Sequence, residues 1–277
     1  MTSHETVQYR MVFCDIDGTL VDSTHHISQR TRQQIQELYH DGIPFILVSA
    51  RMPSGIFPLQ QELAIKAPIV CYSGALILDE EGTPMKTVGI DRETVMRIHS
   101  FIQKGWSHVC SSFYSCNDWI TDNIRNKWIL QEQYITASKP IERRIPDLIP
   151  QNGHIHKLLC MGDAEMIAGL NSALKEEFSG LSVYRSKDTY LEIMDGAVSK
   201  SSAVKHLCKI YGIPIEATVS FGDNDNDVDM LLATGTSFAM GNAPEAVKRL
   251  AKNVTSDNDH EGVALGLKQL NFIKNRI

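Results

Sequence analysis

Short, wholly apolar runs alternate with helical segments along this chain, and this alternation limits the possible folds more than any other feature. Residues 11–14, 45–48 and 218–221 form runs typical of strands that are buried on both faces. A helix predicted to begin after the capping residue Ser28 and to end before Gly42 lies between the first two runs. Because strands joined through helices pair in parallel, the pattern predicts a doubly wound, Rossmann-like α/β core with a largely parallel sheet.

The composition changes near residue 85, which indicates an inserted domain. From 85 to 187 the chain is richer in aromatic residues, including all three tryptophans, and it contains a strand-like run at 158–161. The first pattern returns near residue 190. We therefore predict a core formed by residues 1–84 plus 188–277, interrupted by an α+β insert at 85–187.

The overall composition excludes several classes of protein. The 277 residues include 33 acidic and 27 basic side chains, and this net charge of −6 suits neither nucleic acid nor an anionic membrane as partner. Six cysteines without a Cys-x-x-Cys pair favour free thiols in a reducing compartment. The first residues contain no basic segment followed by an apolar run, so we expect no secretory leader. The apolar runs are shorter than the roughly 18 residues of a membrane span. We therefore expect a cytoplasmic protein.

Acidic side chains follow two of the predicted strands. Asp15 and Asp17 come directly after the first strand, and four aspartates crowd residues 223–229 after another. The second cluster is not a calcium-binding EF-hand loop, because Val228 and Thr234 stand where that loop needs Gly and Glu. The carboxyl ends of parallel strands share one edge of the sheet, so we expect an oxygen-only site suited to Mg²⁺.

Two further segments could bind an anion beside these carboxylates. Ser49 ends the second strand, and its hydroxyl could bind phosphate together with the N–H groups of Ala50 and Arg51. We expect these groups at the start of a helix that runs to about Lys66, where N–H groups are unpaired. Lys200 opens another predicted helix, and its ammonium could pair with both phosphate and carboxylate.

Taken together, these segments resemble the four motifs of the haloacid dehalogenase superfamily of phosphatases. The four matching segments are DIDGTL at 15–20, SAR at 49–51, Lys200, and GDNDND at 222–227. The large insert, with MGNA at 240–243 and EGVA at 261–264, resembles the Cof-type sugar phosphatases of that superfamily. Two positions depart from the family pattern: Ala50 replaces a usual Gly, and Ser73 replaces a frequent Asn.

The resemblance implies a role for each motif. Asp15 would be the nucleophile that forms an aspartyl-phosphate, and Asp17 the general acid and then the general base. Mg²⁺ would be held by Asp15, by the backbone carbonyl of Asp17 and by Asp223, while Asp227 would orient a water ligand of the metal. The residues implied to bind the transferring phosphoryl group are Ser49, Ala50, Lys200 and Asn226.

The implied activity is Mg²⁺-dependent hydrolysis of a phosphomonoester, with a sugar phosphate or a similar small metabolite as substrate and the insert as a specificity cap. A phosphomutase on the same core is an alternative, but Arg143-Arg144 is the one arginine pair in the insert that could retain a bisphosphorylated intermediate. A non-catalytic phosphate-binding module is a second alternative, which the intact pair Asp15 and Asp17 argues against. Product analysis separates the three, because they yield free phosphate, an isomer or nothing.

Overall fold

The structure, a computed structural model, describes residues 8–136, 138–144 and 154–272. Its strands in chain order are β1 (Met11–Asp15), β2 (Phe45–Val48), β3 (Ile69–Cys71), β4 (Leu76–Leu78), β5 (Pro84–Thr87), β6 (Cys110–Ser115), β7 (Asp118–Thr121), β8 (Ile141–Glu142), β9 (Lys157–Met161), β10 (Leu181–Lys187), β11 (Tyr190–Asp195), β12 (Thr218–Gly222), β13 (Thr236–Ala239) and β14 (Asn253–Val254). Its helices are α1 (Gln29–His40), α2 (Phe57–Leu63), α3 (Arg92–Gly105), α4 (Lys127–Thr136), α5 (Ala164–Glu177), α6 (Lys200–Tyr211), α7 (Val228–Ala233), α8 (Glu245–Leu250) and α9 (Gly262–Leu267).

The described residues fall into two compact units. The first contains residues 8–51, Ile56–Met85 and 199–272, and the second contains Met52–Gly55 and the described part of Lys86–Val198. Residues 188–198, which the sequence pattern assigns to the core, lie in the second unit. The reason is that β11 pairs antiparallel with both β9 and β10 there.

The first unit is built on a sheet in the order β14-β13-β12-β1-β2-β3-β4-β5. The pairs from β14 to β3 are parallel, and β4 runs antiparallel to β3. Every residue of β1 is buried, so both faces of this strand are covered. The largely parallel α/β core predicted from the sequence is confirmed.

Helix ends in this unit follow from local chemistry. The side chain of Ser28 accepts a hydrogen bond from the backbone N–H of Thr31 and so caps α1. Helix α6 ends at Gly212, whose left-handed conformation (φ 60°) terminates a helix at little cost for glycine. On one face of the sheet, α6 packs Val204 and Leu207 against Met11 and Phe13 of β1 in a single buried cluster.

The order of the strands reverses beside β1. The chain proceeds from β1 through β2 to β3 on one side, and from β12 through β13 to β14 on the other. Cys14 pairs with Phe221, so the carboxyl ends of β1 and β12 lie next to each other. Ligands of open parallel sheets bind at such a reversal point, beyond the carboxyl ends of the strands.

The second unit is an α+β domain with its own sheet in the order β10-β11-β9-β6-β7-β8. Its pairs are antiparallel except for β7 with β8. Helices α3 and α5 pack on one face through a buried cluster that includes Ile98, Ile102, Ile167 and Leu170. Neither unit contains, within its described residues, a helix long and apolar enough to cross a membrane.

Candidate active site

A buried ammonium group links the two acidic segments at the carboxyl edge of the first unit's sheet. Lys200 Nζ lies 2.5 Å from Asp15 Oδ1, at the end of β1, and 2.5 Å from Asp227 Oδ1, in the turn after β12. The side chain of Lys200 has no exposed surface. Lys200 is the first residue of α6, and Ser199 caps this helix by accepting a hydrogen bond from the N–H of Ser202. The predicted convergence of these segments is therefore present in the structure.

The carboxylates of this cluster are not balanced by the one ammonium. Burial, together with the nearby Asp227 carboxylate, holds the pKa of Asp15 well above its usual range although Lys200 opposes this. Burial likewise raises the pKa of Asp223 to about 6. Burial also disfavours the charged form of Lys200, but the two carboxylates outweigh it and raise the pKa of this lysine. The site therefore has an excess of negative charge that favours a bound cation.

The donor set fits a hard divalent cation. Asp15, Asp223 and Asp227 each offer a carboxylate oxygen, and these three oxygens all lie within 4.8 Å of one another. Oxygen-only ligands with an excess of negative charge are typical of Mg²⁺ sites. The carboxylate of Asp17 is not part of this cluster, so any contribution from Asp17 would come through its backbone carbonyl, as the resemblance implies.

A tight turn after Asp17 brings the two segments together. Gly18 has φ +80°, and a Cβ atom at this position would lie 2.5 Å from Asp223 Oδ2. Thr19 then donates a hydrogen bond from Oγ1 to Asp223 Oδ1 at 2.7 Å. Thr19 has no individual role in the sequence prediction, and its place directly after the turn glycine is the one signal that could have indicated this contact.

Asp227 organises the second acidic segment. Its Oδ2 accepts hydrogen bonds from the backbone N–H groups of Asp223 and Asn224, both at 3.0 Å, while its Oδ1 pairs with Lys200. Asn226 is exposed on the same short turn. Asp229, just beyond, accepts a hydrogen bond from the backbone N–H of Ser201 and so ties this segment to the first turn of α6.

The side chain of Asp17 points away from the buried cluster and pairs with Arg51. The guanidinium binds both carboxylate oxygens, with Nε at 2.9 Å from Oδ2 and the terminal nitrogen at 2.5 Å from Oδ1. This bidentate geometry is the strong form of an ion pair. The sequence prediction used only the backbone N–H of Arg51, so its side-chain role was missed.

The segment after β2 forms a loop where the sequence analysis predicts the start of a helix. Ser49 is buried, and its Oγ accepts a hydrogen bond from the N–H of Arg51 at 3.1 Å, as a turn serine does. The helix expected to start at Ala50 begins only at Phe57, after a short 3₁₀ turn. The N–H groups after Ser49 therefore belong to a loop rather than to a helix terminus.

The turn at Tyr72–Gly74 has a strained backbone and is hydrogen-bonded to this loop. Tyr72, Ser73 and Gly74 all have positive φ angles of 50°, 53° and 110°. The N–H of Ser73 donates to the Ser49 carbonyl oxygen at 2.9 Å, and the N–H of Tyr72 donates to that of Arg51. Asn tolerates the left-handed conformation better than Ser does, which gives the departure at Ser73 a backbone cost.

Comparisons with known proteins agree with this geometry. Residues 12–267 match the model of the haloacid dehalogenase-like hydrolases. A putative phosphatase from Haemophilus influenzae is 37% identical over 263 residues, which cover 95% of this chain and 98% of that protein. Phosphatase YwpJ from Bacillus subtilis is 27% identical, with coverage of 94% and 99%.

A solved structure resembles the whole fold. The crystal structure of a haloacid dehalogenase-like hydrolase from Bacteroides thetaiotaomicron superimposes with a TM-score of 0.86 at 28% identity, and the match covers 95% of this chain and 99% of that one. The family match extends over nearly the entire chain and includes every predicted site residue. The chain therefore belongs to the haloacid dehalogenase-like hydrolase family, as a phosphatase of the Cof type.

Proposed function

We propose that this protein hydrolyses a small phosphomonoester, such as a sugar phosphate, in an Mg²⁺-dependent reaction through an aspartyl-phosphate on Asp15. One observation carries the proposal: the ammonium of Lys200 lies between Asp15 and Asp227, with Asp223 beside them, where two neighbouring parallel strands end. The sugar-phosphate class rests on the resemblance to the Cof-type phosphatases.

The chain's own groups account for both halves of the reaction. An oxygen of Asp15 attacks phosphorus, the bond to the leaving alcohol breaks, and Asp17 donates a proton to that alcohol. Water then attacks the phosphorus of the aspartyl-phosphate and gives a proton to Asp17, which releases inorganic phosphate and restores the Asp15 carboxylate. Lys200 and the loop groups of Ser49, Ala50 and Asn226 hold the phosphoryl oxygens. Mg²⁺, when bound by Asp15, Asp223 and the Asp17 carbonyl with Asp227 beside it, would supply positive charge against the transferring phosphoryl group.

Asp17 must leave its ion pair with Arg51 to act as an acid. Both oxygens of the Asp17 carboxylate accept hydrogen bonds from the guanidinium, so neither is available to the leaving alcohol while the ion pair is formed. Proton donation therefore requires that Asp17 separate from Arg51 when substrate binds, and the exposed position of Asp17 permits this movement.

The nucleophile is tested by Asp15→Asn. The amide is close in shape but is a far weaker nucleophile, so turnover of p-nitrophenyl phosphate should fall below about 1% of the wild-type value. Asp118→Asn, the same change at an exposed aspartate of the second unit, should keep full activity. Phosphate release by D15N at more than a few per cent of the wild-type rate would contradict the assignment.

The metal is tested by removal and replacement. EDTA should stop phosphate release and Mg²⁺ should restore it, whereas Ca²⁺ should restore little. The reason is that Ca²⁺ takes longer bonds and more ligands than the near-octahedral Mg²⁺, with its bonds of about 2.0–2.1 Å. Full activity in EDTA would exclude an essential metal in this cluster.

The substrate class is tested with a panel of phosphorylated metabolites in the presence of Mg²⁺. Free phosphate as the product supports the hydrolase, an isomeric phosphate would indicate a phosphomutase, and no product with any compound would indicate a binding module. A preference for nucleotides or phosphoproteins over sugar phosphates would contradict the proposed class.

A further inference from the structure

The segment after β13 forms hydrogen bonds with the turn that carries Asp17. Asn242 donates a hydrogen bond from Nδ2 to the Gly18 carbonyl oxygen at 2.9 Å. Its Oδ1 accepts a hydrogen bond from the backbone N–H of Asn258 at 3.2 Å. The side chain of Asn242 therefore connects the residue after Asp17 to the loop that precedes α9.

Two neighbouring contacts reinforce the same connection. Asn258 donates from Nδ2 to the Val21 carbonyl oxygen at 3.0 Å, and Asp259 accepts a hydrogen bond from the backbone N–H of Ser23 at 2.8 Å. Val21 in turn forms a β-bridge with Asp17. The turn is thus held on one side by Thr19, which binds Asp223, and on the other by the 242–259 segment.

These contacts matter most when Asp17 has left Arg51. In the ion pair, the guanidinium fixes the carboxylate directly. Once Asp17 carries a proton and turns to the leaving group, its position depends on the backbone of the turn. General acids act over hydrogen-bond distances, so a small displacement of this backbone is costly.

We infer that Asn242 is a positioning residue for Asp17, acting through the peptide bond that follows Gly18. The inference rests on the proposed function, in which Asp17 protonates the leaving alcohol. It requires that loss of Asn242 impair proton donation more than phosphoryl binding, because Lys200 and Ser49 lie on other segments.

The test compares two substrates of nearly equal shape. Phenyl phosphate releases a phenolate whose pKa is about 10, like that of tyrosine, and so needs a proton donor. p-Nitrophenyl phosphate releases a much weaker base and needs little protonation. The readout is kcat/KM, because it covers only the steps up to departure of the alcohol and omits the later hydrolysis of the aspartyl-phosphate, which both substrates share. For Asn242→Ala we expect kcat/KM to fall at least about tenfold with phenyl phosphate but less than about threefold with p-nitrophenyl phosphate.

Two further variants make the result decisive. Asn242→Asp keeps the acceptor for the Asn258 N–H but loses the donor to Gly18, so it should shift the ratio of the two rates in the same direction. Asn253→Ala removes two side-chain hydrogen bonds of another asparagine in the first unit, to Thr236 and Ser237, and should leave the ratio at the wild-type value. Partial unfolding lowers both rates by one factor, so it does not change the ratio.

Asp17→Asn separates the two ways in which the idea could fail. If this variant leaves the ratio of the two kcat/KM values unchanged, Asp17 is not the acid of the proposed function and the inference falls with it. If Asp17→Asn shifts the ratio while Asn242→Ala lowers both rates equally or not at all, the proposed function stands and the role of Asn242 is overturned.

Discussion

At the scale of single residues, Gly18 is fixed by two independent constraints. Its φ of +80° lies in a region that costs other residues about 1–2 kcal/mol, and an added Cβ would lie 2.5 Å from Asp223 Oδ2. Gly18→Ala should therefore lower the free energy of unfolding by more than about 2 kcal/mol, as measured by urea denaturation. It should also lower phosphate release, because Asp223 would be displaced.

A glycine elsewhere provides the matched control for this prediction. Gly105, the last residue of α3, has no atom within 4 Å of an added Cβ and no positive φ. Gly105→Ala should change stability by no more than about 1 kcal/mol and leave activity intact. Equal effects of the two substitutions would show that the Gly18 turn tolerates a side chain.

The residues of the site differ in how far the sequence could predict them. Asp15 and Asp223 were predicted to meet because each follows a buried strand, and parallel strands end at one edge. The pairing of Asp17 with Arg51 was not predictable in this way, because a long side chain at a loop position can reach many partners. Asn242 is further removed still, since its contact with Gly18 joins positions 224 apart in the chain.

At the scale of elements, the segment after β2 shows how proline residues determine where a helix starts. The sequence analysis expects a helix that starts near Ala50 and runs to about Lys66. Pro53 disfavours helical geometry in the residue before it, and a 3₁₀ turn at Pro53–Gly55 follows instead. Helix α2 begins only at Phe57, where Pro58 fits the first turn because its missing N–H would have no partner there.

A buried histidine joins three segments of the second unit. The N–H of Cys116 donates to Nδ1 of His156 at 3.1 Å, so the neutral ring carries its proton on Nε2 and donates to Thr87 Oγ1 at 2.8 Å. Burial, with a smaller contribution from His154, lowers the pKa of His156 to about 4. Protonation would place a hydrogen on Nδ1 and break the bond from Cys116.

This histidine should make the stability of the protein fall in mild acid. In the unfolded chain a histidine takes up a proton near pH 6.5, but in the folded protein His156 does so only near pH 4. The neutral, buried His156 therefore makes its full contribution to the free energy of unfolding above pH about 6.5. This contribution is lost as the pH falls towards 4, and the free energy of unfolding decreases by about 3 kcal/mol in total. Urea denaturation at pH 7.5 and 4.5 should show a smaller pH-dependent loss of stability in His156→Gln than in wild type. As a control, the same change at the exposed His108, His108→Gln, should leave the pH dependence of stability like that of wild type. If H156Q loses as much stability between pH 7.5 and 4.5 as wild type does, His156 does not have this role.

At the scale of the whole molecule, the sequence pattern and the strand pairing place the end of the insert differently, near residue 187 and at Val198. Residues 190–195 have the apolar character of a core strand, and the sequence does not indicate which strand they pair with. In the structure Leu191 pairs with Cys160 of β9, and Ile193 pairs with Val183 of β10. Partner choice between distant strands depends on packing that local periodicity does not encode.

Two deletions can distinguish an insert that ends at residue 187 from one that ends at Val198. Removing Lys86–Val198 takes out the main segment of the second unit, including β11. Removing 86–187 instead leaves β11 without its partners β9 and β10. It thereby exposes Leu191 and Ile193, which are fully buried in the intact protein. With a short Gly-Ser linker, the longer deletion should give a protein that melts cooperatively, and the shorter one should aggregate. The reverse result would place β11 in the folding unit of the core.

The longer deletion also tests whether the insert selects the substrate. All the proposed catalytic groups lie in the first unit, so the remaining core should still hydrolyse p-nitrophenyl phosphate in the presence of Mg²⁺. Binding energy from the non-reacting part of a substrate supports turnover as well as affinity, so a core without the insert should lose most of its preference among natural phosphomonoesters. The measurement is the ranking of kcat/KM across the same metabolite panel for the full chain and the deleted protein. If the deleted protein folds and keeps the ranking of the full chain, selection resides in the core loops, and the insert does not act as the specificity cap.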